Sequence, residues 1–561
     1  MNSSTAPAPA SDLGRDPAAR TDVRPAIEAG LLAGSVTAFV LLVGSSLSGA
    51  VGFLELIHNG FTRFIPLPLF ELAVSNLGPL AKSLLFVGIV VVLILIGGLL
   101  GGLLARFGVV RRASTGADGL LVGALAWLAA EVVVLPVFGA GLFGAAAGLS
   151  ATQLHLPLAI ATLGYGLVLV GIVRGTPARG TPAVATERAT SATAPVAMSE
   201  TGAVGARLLP RRTFLGRSLV VLGLGAFAGS AIGVASRLAH ALTVGQSSSA
   251  RAAAPGGFGP TPQVTPVGDF YVVGKDLSPT IVDGEGWRLT VSGLVDRPRA
   301  YRLDELKAMP AVEDYRTLQC ISNEVIRFGT LISTQRWKGT RARDVLAAAG
   351  VQAGATHVLW RSVDGYTESI PLDVAMDERT WLAYEMGLPG TALTPDHGFP
   401  LRVLIAGRYG MKQPKYLTEI ILADHDEPGY WEQRSWDRTA AVRTYSRIDQ
   451  PVQGDSVSSD RVFPVYGIAS AGDRGIAQVE VSTDGASTWR LAELESALGP
   501  LTWVRWRIDV DPRVTGSLEL VVRATDRQGN VQDATVRSSL PSGATGLHRV
   551  QVVGVPNLPA A

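Results

Sequence analysis

The chain has 561 residues, more than one ordinary hydrophobic core accommodates, and its mean hydropathy of +0.29 is too apolar for a soluble enzyme. Charged residues make up 17% of the chain and the formal net charge is +2, so nothing favours a nucleic-acid partner. The single cysteine excludes an internal disulfide, a CxxC zinc site and a protein-ligated iron–sulfur cluster, because each needs several thiols.

The N-terminal part of the chain is predicted to lie in a membrane. Residues 1–25 are rich in Ala, Pro, Ser, Asp and Arg without apolar periodicity, which indicates a disordered cytoplasmic tail. The region 26–174 that follows is predicted to form four transmembrane helices, because each of its apolar runs has close to the ~20 residues that a helix needs to cross the hydrocarbon core. These runs lie at 30–53, 83–104, 120–143 and 156–173.

The distribution of arginines predicts the orientation of these helices. Arginines cluster before the first run, between the second and third runs, and after the fourth, whereas the other two loops carry few basic residues. The clusters are Arg15, Arg20 and Arg24, then Arg106, Arg111 and Arg112, then Arg174, Arg179 and Arg188. The positive-inside rule therefore places the N-terminus in the cytoplasm and returns the chain there after the fourth helix.

Two further features of the apolar region concern function. Glu131 lies inside the third run, where a carboxylate is costly; it is either part of a proton or ion path or, as we favour, a neutral glutamate hydrogen-bonded between helices. A bis-histidine haem needs two histidines at membrane depth, whereas His58 and His155 fall in a loop or at the edge of a run. No haem is therefore predicted.

Residues 175–267 join the membrane region to the rest of the chain. The segments 175–206 and 238–267 are rich in small residues and proline and are predicted to be linkers. Between them, residues 207–237 contain LPRRTFLGR (209–217) before an apolar run, which resembles a twin-arginine export signal. The alternative is that Arg211 and Arg212 only flank a fifth transmembrane helix. We favour a signal that is retained as such a helix, and cleavage stays open.

The remaining sequence is predicted to fold into two globular domains and a short tail. Residues 268–450 combine short β-like runs with helical pieces, which predicts an α+β domain. Residues 451–545 contain runs such as VRWRIDV (504–510), in which apolar and charged residues alternate, and predict an immunoglobulin-like β-sandwich. Residues 546–561 are predicted to be a tail.

The lone cysteine is the first candidate for chemistry. Cys320 ends a β-like run, TLQC (317–320), and polar residues follow it. A single thiol is most often a buried structural residue. As a metal ligand it would need further ligands from outside the chain, and a soft thiolate suits molybdenum that takes its other sulfurs from an organic pterin.

Ordered motifs around Cys320 resemble the molybdopterin domain of the sulfite oxidase family, in its bacterial membrane-anchored subfamily. They are TLQCISN (317–323), WKGT (337–340), SVDGYTESIPL (362–372), LAYEM (382–386), DHGFPLR (396–402) and YGMKQPKYL (409–417). The C-terminal sandwich resembles the dimerisation domain of that family through VEVSTDG (479–485). The resemblance implies an oxidoreductase with a molybdenum–molybdopterin cofactor.

The resemblance also implies roles for individual residues. Cys320 would bind the metal, Tyr366 would face the substrate, and Asp364 would accept a hydrogen bond from the pterin ring. The implied cofactor-binding set contains aromatic, polar and basic side chains: Phe270, Tyr271, Asn323, Asp364, His397, Arg402, Lys412, Gln413 and Lys415, with the phosphate assigned to the last four and His397. Arg316 completes the implied catalytic set.

One departure from the family affects the substrate. Animal and plant members carry arginines shortly after the cysteine to bind sulfite, whereas this chain has Glu324 and Val325, and an acidic side chain there would repel an anion. Compensation is expected from Arg316, Arg327 or Arg361. Sulfite oxidation and S-oxide reduction both remain open, and a nitrogen oxide is a further candidate substrate.

The expected partners follow from this assignment. Electrons are expected to pass to or from a separate carrier, either a cytochrome or a quinone-linked protein. Lipid surrounds the apolar helices, the catalytic domain lies on the extracytoplasmic side, and the sandwich makes a homodimer. The competing hypothesis is a non-catalytic, membrane-tethered binding or sensory module on the same fold.

Overall fold

A computed structural model describes thirteen stretches of the chain. They are residues 23–48, 52–61, 64–66, 69, 72–73, 77, 80–109, 116–145, 152–175, 257–276, 279–324, 329–511 and 515–556. The described residues fall into two compact units, one within 1–44, 88–133 and 154–234, the other within 45–87, 134–153 and 235–561. Residues 1–22 of the predicted tail (1–25) and the predicted twin-arginine segment at 207–237 lie outside the described residues. So do residues 176–206 and 238–256 of the two predicted linkers (175–206 and 238–267).

The N-terminal region is helical. Among the described residues, four helices are long and apolar enough to cross a membrane, as the four apolar runs predict. The helices of this region are α1 (Arg24–Ser48), α2 (Phe53–Phe61), α3 (Leu80–Arg106), α4 (Gly116–Ala129), α5 (Leu135–Val137) and α6 (His155–Gly175). A π-helical turn, Ala130–Val134, joins α4 to α5.

Glycines allow α4 and α6 to pack closely. A Cβ atom added to Gly166 would lie 2.0 Å from the Gly119 carbonyl oxygen, and one added to Gly123 would lie 2.5 Å from the Thr162 carbonyl oxygen. No side chain fits at these distances. Small residues at such crossings let helix backbones approach in lipid, where dispersion contacts replace the hydrophobic effect as the main attraction.

Glu131 lies in the π-helical turn and is buried. Its Oε1 atom is 2.7 Å from Nδ1 of His155, the first residue of α6. The favoured interpretation of Glu131 as a carboxyl group hydrogen-bonded between two apolar helices agrees with this contact. The π-helical turn widens the helix locally, which is a common feature of functional positions.

The first globular domain contains two sheets and three short helices. One sheet has the strand order β2-β1-β9-β5-β6 and the other β3-β4-β7-β8. The strands are β1 (Leu289–Gly293), β2 (Arg299–Tyr301), β3 (Ala311–Gln319), β4 (Ile332–Arg341), β5 (His357–Ser362), β6 (Thr367–Pro371), β7 (Trp381–Met386), β8 (Arg402–Leu404) and β9 (Leu417–Ala423). The helices are α7 (Leu303–Lys307), α8 (Ala342–Ala349) and α9 (Leu372–Met376). This arrangement is the predicted α+β domain.

A continuous apolar core joins the first sheet to the helix α8. Apolar side chains such as Leu289, Val358 and Ile420 from the sheet pack with Val345 and Leu346 from α8. The same core contains Leu382 and Val403 from the second sheet. Burial of each of these side chains contributes about 1.5–3 kcal/mol, so the core holds the two sheets together. The loops that carry the predicted site residues start and end on this rigid frame.

The second globular domain is a two-sheet β-sandwich. Its sheets have the orders β10-β12-β16-β15 and β11-β18-β17-β13-β14, and side chains from both sheets, including Val465, Val479 and Trp506, share one core. The strands are β10 (Tyr445–Gln450), β11 (Ser456–Ser458), β12 (Phe463–Ser470), β13 (Ile476–Ser482), β14 (Arg490–Leu491), β15 (Glu493–Leu494), β16 (Val504–Val510), β17 (Gly516–Asp526) and β18 (His548–Val555).

Four predicted boundaries differ from the structure. The helix α1 begins at Arg24, inside the segment 1–25 predicted as a tail. The strand β18 lies in the segment 546–561 predicted as a tail, because it pairs with β17 along its whole length. The strand β10 belongs to the sandwich, although the predicted boundary of 450 placed it in the preceding domain. Residues 257–267 of the predicted linker are ordered, because Trp503 donates from its indole to the Gln263 carbonyl at 3.0 Å.

The packing of α4 against α6 gives a test with a matched control. Gly166→Leu should destabilise the helical unit by about 3 kcal/mol or more, since its side chain would collide with the α4 backbone. Gly164→Leu adds the same apolar volume two residues away, where nothing lies within 4 Å of an added Cβ atom. The apparent Tm in detergent should fall for Gly166→Leu alone, and equal Tm values for both variants would contradict the described packing.

Candidate active site around Cys320

Cys320 is held at the end of β3 by a hydrogen-bonded turn. Its amide donates to the Leu331 carbonyl at 2.9 Å, and the Asn323 amide donates to the Cys320 carbonyl at 3.1 Å. The Asn323 side chain accepts from the Leu331 amide at 2.9 Å, so it fixes the turn across the strand pair β3–β4. These hydrogen bonds, made by residues of the motif TLQCISN, fix the backbone position of Cys320.

The thiol of Cys320 is buried and protonated in the absence of a metal. Burial raises its pKa, and the Ser322 hydroxyl, 3.0 Å from Sγ, opposes that rise. A thiolate is the form that binds metals, and metal coordination deprotonates a thiol outright. Among the described residues no group of three or more His, Cys, Asp or Glu side chains is arranged to hold a metal ion. The described residues therefore offer Cys320 no set of further protein ligands of this kind.

Aromatic residues line one side of the predicted site. The Phe270 ring stacks on Tyr271, with centroids 5.4 Å apart, and meets the edge of His397 at 5.3 Å. The Tyr271 amide donates to the Ser333 hydroxyl at 3.2 Å, which ties this segment to β4. A Cβ atom at Gly410 would lie 3.0 Å from the Tyr271 hydroxyl oxygen, so the glycine allows the close approach.

Two predicted cofactor-binding cations, the buried Arg402 and the partly buried Lys415, have backbone carbonyls as hydrogen-bond partners. Arg402 donates to the His397 carbonyl at 3.2 Å, and its Nε has no partner among the described residues. Lys415 donates to the Asp396 carbonyl at 2.9 Å. Burial lowers the pKa of Arg402 to about 10, while burial and the Arg402 charge lower the pKa of Lys415 to about 8. A bound anion would stabilise the charged forms of both side chains.

His397 is neutral at physiological pH, because burial and the Arg402 charge lower its pKa to about 4. Its Nε2 lies 3.2 Å from the Val267 carbonyl oxygen, so that nitrogen carries the hydrogen. Nδ1 is then an acceptor. The structure brings His397, Arg402, Lys415, Phe270 and Tyr271 together, as the resemblance implies.

Asp364 lies in the same neighbourhood, beside Lys275 and Asp276. Its Oδ1 accepts from the Tyr366 amide at 3.0 Å, and burial raises its pKa against the opposing charge of Lys275. Burial alone would lower the pKa of Lys275, but Asp364 and Asp276 outweigh burial and raise it. Sequence reasoning missed Lys275 and Asp276, although they directly follow the Phe270-Tyr271 segment.

Tyr366 acts as a hydrogen-bond donor and not as a base. Its hydroxyl donates to the Met411 carbonyl at 2.6 Å, and burial raises its pKa well above the ordinary value, so the phenol keeps its proton. Its ring lies 5.7 Å from that of Tyr430, centroid to centroid. The contact with Met411 connects the motif SVDGYTESIPL to YGMKQPKYL.

Lys412, which is predicted to bind the phosphate, has its described partners within the protein. Its ammonium donates to Glu368 at 2.7 Å and to the Ser369 carbonyl at 3.1 Å, and it also donates to Glu432. All three ionisable side chains are buried, and these contacts already occupy the ammonium, so the contacts of Lys412 give no support to a phosphate-binding role. Gln413 likewise donates to the Arg408 carbonyl at 2.8 Å. Glu368 lies within the motif SVDGYTESIPL (362–372), but the sequence analysis assigns it no role.

The residues expected to bind an anionic substrate have other partners. The Arg316 guanidinium lies 3.4 Å from the Trp381 ring centroid and donates to the Arg379 carbonyl at 2.7 Å, so its contacts are with neither Cys320 nor Tyr366. Arg361 is half-exposed and pairs with Glu427 at 3.8 Å. Arg327 lies outside the described residues. The catalytic role predicted for Arg316 therefore has no support from its contacts.

Glu324, whose charge was expected to repel an anion, faces the sandwich. Its Oε1 lies 3.5 Å from the Ser539 hydroxyl, in the loop before β18. A polar cavity of about 340 Å³ lies at the same junction, lined by residues such as Arg443, Arg474 and Asp526. None of the predicted site residues lines this cavity, so the cavity is separate from the candidate site around Cys320.

The buried charges test whether a molybdopterin fits. Among the described residues, neither the buried Arg402 nor the partly buried Lys415 has a carboxylate hydrogen-bond partner, and a bound anion would offset the cost of burying their charges. Gly274 lies next to the lysine, because a Cβ atom there would be in van der Waals contact with Lys415 Nζ at 3.7 Å. A thiol, a pair of cations and a carboxylate are the groups that metal, phosphate and pterin ring require. The residues therefore fit the cofactor.

Comparisons with known proteins agree with the motifs. A family model described as "Oxidoreductase molybdopterin binding domain" matches residues 276–431, and one described as "Mo-co oxidoreductase dimerisation domain" matches residues 438–554. Sulfite oxidase of Gallus gallus is 32% identical over 314 residues, which cover 48% of this chain and 68% of the chicken protein. Nitrate reductase [NAD(P)H] of Hordeum vulgare is 28% identical over 48% of this chain and 37% of the barley protein.

Among solved structures, that of the sulfane dehydrogenase SoxCD from Paracoccus pantotrophus superposes with a TM-score of 0.46. The identity is 20%, and the match covers 56% of this chain and 92% of the other. The molybdopterin and dimerisation matches end near 431 and begin near 438, which agrees with β10 lying in the sandwich.

The buried triad of Glu368, Lys412 and Glu432 predicts a pH-dependent stability. Burial and the Glu432 charge raise the pKa of Glu368 to about 8 against the opposing effect of Lys412. The folded state therefore holds this proton more tightly than the unfolded chain, so stability falls as pH rises from about 4.5 to about 8. In Glu368→Gln this loss should shrink, because glutamine does not titrate.

The measurement is the Tm of the full chain at pH values on both sides of that interval. The control variant Glu378→Gln changes an exposed glutamate and should retain the wild-type pH profile. Identical profiles for Glu368→Gln and the wild type would show that Glu368 does not titrate in this interval.

Proposed function

Because this chain belongs to the sulfite oxidase family of molybdopterin-dependent oxidoreductases, we propose that it transfers an oxygen atom to or from a small sulfur compound. The observation that carries the proposal is the lone buried thiol of Cys320 next to the Tyr271 segment. A Cβ atom at Gly410 would lie 3.0 Å from the Tyr271 hydroxyl and 3.5 Å from the carbonyl oxygen of Gln319, the residue before Cys320. The electrostatic effects of both Cys320 and Arg402 on Tyr271 agree with this placement. Such a site suits a soft metal carried by an anionic cofactor.

The residues divide into three roles in this proposal. Cys320 binds the metal, Arg402 and Lys415 bind the phosphate of the cofactor, and Asp364 accepts from the pterin ring. When bound, the cofactor supplies the redox centre that exchanges electron pairs and oxygen. Tyr366 keeps its proton and orients groups near the metal by hydrogen bonding, because its pKa is raised by burial.

Sulfite oxidation is the first candidate reaction. It adds one oxygen atom from water to sulfite and releases two protons and two electrons, which a separate carrier must remove. The relative from Gallus gallus is named sulfite oxidase, and similarity to it supports a sulfur substrate. Reduction of a neutral S-oxide is the second candidate, favoured by the absence of arginines directly after Asn323, where the chain has Glu324.

We propose that the catalytic domain is membrane-anchored and extracytoplasmic. The arginine-poor segments within 45–87 and 134–153 belong to the same compact unit as the catalytic domain, and the positive-inside rule assigns arginine-poor loops to the outside. The four apolar helices would be the anchor. The sandwich, which we infer to be immunoglobulin-like, would form a homodimer, in line with the dimerisation model that it matches. Haem is not part of the proposal.

Metal content tests the proposed function most simply. Full-length protein from a molybdenum-replete host should contain about one molybdenum and one pterin per chain, and Cys320→Ser should lower catalytic turnover by at least about a thousandfold. Ser322→Ala is the matched control, since it removes the hydroxyl beside the thiol and leaves the sulfur in place. Protein without molybdenum or pterin would instead support the non-catalytic binding module.

Steady-state assays then separate the two reactions. Sulfite with an artificial electron acceptor, and methionine sulfoxide with an artificial donor, are given to the same preparation. Turnover of sulfite alone supports oxidation, and turnover of the sulfoxide alone supports reduction. If the loaded protein turns over neither, the proposed sulfur substrate is wrong.

The export route gives a separate prediction for residues 211 and 212. If this segment is a twin-arginine signal, Arg211→Lys combined with Arg212→Lys abolishes export of the catalytic domain, because lysines keep the charge but not the recognised pair. Protease accessibility of the domain in spheroplasts measures its location. Unchanged accessibility would favour arginines that only flank a transmembrane helix.

A further inference from the structure

Lys82 connects the N-terminal region to the site around Cys320. It lies in the first turn of α3, within the segment 45–87 that belongs to the same compact unit as residues 235–561. Its ammonium donates to the Gly274 carbonyl, and the Lys275 carbonyl oxygen lies 3.5 Å away. Both carbonyls belong to the segment that begins with Phe270 and Tyr271 and lines the candidate site.

The segment that Lys82 contacts runs along the candidate site. A Cβ atom at Gly274 would lie 3.7 Å from Lys415 Nζ, and one at Gly410 would lie 3.0 Å from the Tyr271 hydroxyl and 3.5 Å from the carbonyl oxygen of Gln319, the residue before Cys320. The Lys82 ammonium also acts electrostatically on Cys320 and Lys415, in agreement with this placement. Asp276 lies within electrostatic reach of the ammonium and is paired to Lys275 at 2.7 Å. The Gly274 contact therefore holds a positive group next to the segment that lines the candidate site.

This placement supplies the charge that the sequence lacks after Cys320. Of the three arginines expected to compensate, Arg316 stacks on Trp381 and Arg361 pairs with Glu427, while Arg327 lies outside the described residues. The described hydrogen-bond partners of Lys82 are carbonyl oxygens, which carry no formal negative charge, and Asp276, the carboxylate within its electrostatic reach, is already paired to Lys275. A lysine ammonium has three donors, so one can bind a ligand while the others bind carbonyls.

We propose that Lys82, contributed by the N-terminal helical region, is a substrate-binding residue that selects an oxyanion at the molybdenum site. The proposal rests on the proposed function and narrows it to a negatively charged sulfur substrate. It gives the N-terminal region a role beyond anchoring, since the substrate pocket is incomplete without its residue 82. A phosphate-binding role for the same ammonium is the competing possibility, and the test separates the two.

The experiment uses full-length, molybdenum-loaded protein and inorganic sulfate as a non-reacting oxyanion. Binding is followed through the visible absorption of the loaded protein, and molybdenum and pterin are assayed in each preparation. Lys82→Met should weaken sulfate binding about ten- to a hundredfold, the range for loss of a hydrogen bond to a charged group, and should raise the KM for sulfite similarly. Molybdenum and pterin contents should not change.

Two further variants serve as controls. Lys82→Arg should keep sulfate binding within a few-fold of wild type, because the charge is retained. Lys307→Met removes an exposed lysine on α7 and should leave sulfate binding unchanged. Sulfate affinity of Lys82→Met within twofold of wild type would overturn the proposal, and so would loss of pterin, which would assign Lys82 to the cofactor phosphate.

A second readout needs neither metal nor turnover. In full-length protein made without molybdenum, Cys320 is the only thiol, so its alkylation is unambiguous. The rate ratio of anionic iodoacetate to neutral iodoacetamide should fall several-fold in Lys82→Met and persist in Lys307→Met. An unchanged ratio would place the ammonium too far from the thiol to act on an anion.

The two readouts keep this proposal distinct from the proposed function. Wild-type protein without molybdenum would defeat the proposed function, while the alkylation ratio would still report on Lys82. Loaded wild-type protein that binds no sulfate and oxidises no sulfite would defeat the oxyanion proposal and leave the molybdenum enzyme standing.

Discussion

Positive charge without a carboxylate hydrogen-bond partner among the described residues is the constraint on which the rest of this structure depends. Arg402 is buried and Lys415 partly buried, both are held by backbone carbonyls, and burial lowers the pKa of each. Removing a charge from water costs several kcal/mol unless an opposite charge offsets it, so an anionic group bound between these two side chains would stabilise them. Lys412 differs, because its ammonium already donates to Glu368 and Glu432 within the protein.

Much of the fold was predictable from local patterns. Apolar runs of about 20 residues predict helices that cross a membrane, and alternation such as that in Val504–Val510 predicts strands with one buried face. The domain boundaries were less predictable, because they depend on partners distant in sequence. The strand β18 joins the sandwich only by pairing with β17, and β10 joins it only by pairing with β12. Local composition does not encode such pairings.

The order of the motifs predicted which residues lie near each other in the site. It did not predict the contacts of individual side chains, because these depend on the direction in which each side chain points. His397, Arg402 and Lys415 lie close together as the resemblance implies, whereas the Arg316 guanidinium lies over the Trp381 ring. The sequence of a motif does not reveal which of its lysines contacts carboxyl groups and which contacts backbone carbonyls. Other contributors come from parts of the chain that no local pattern connects to the cysteine. Lys82 belongs to the apolar helix α3, and the sequence alone predicts that a lysine at such a position anchors the helix at the membrane interface.

The central claim, that the lone cysteine binds molybdenum, is tested most directly by X-ray absorption at the molybdenum K-edge of the purified full-length protein. The account predicts sulfur ligands from the cofactor and one further sulfur that disappears in the Cys320→Ser variant, with the remaining ligands unchanged. A spectrum identical in wild type and variant would contradict it, because the metal would then be bound without the only thiol of the chain.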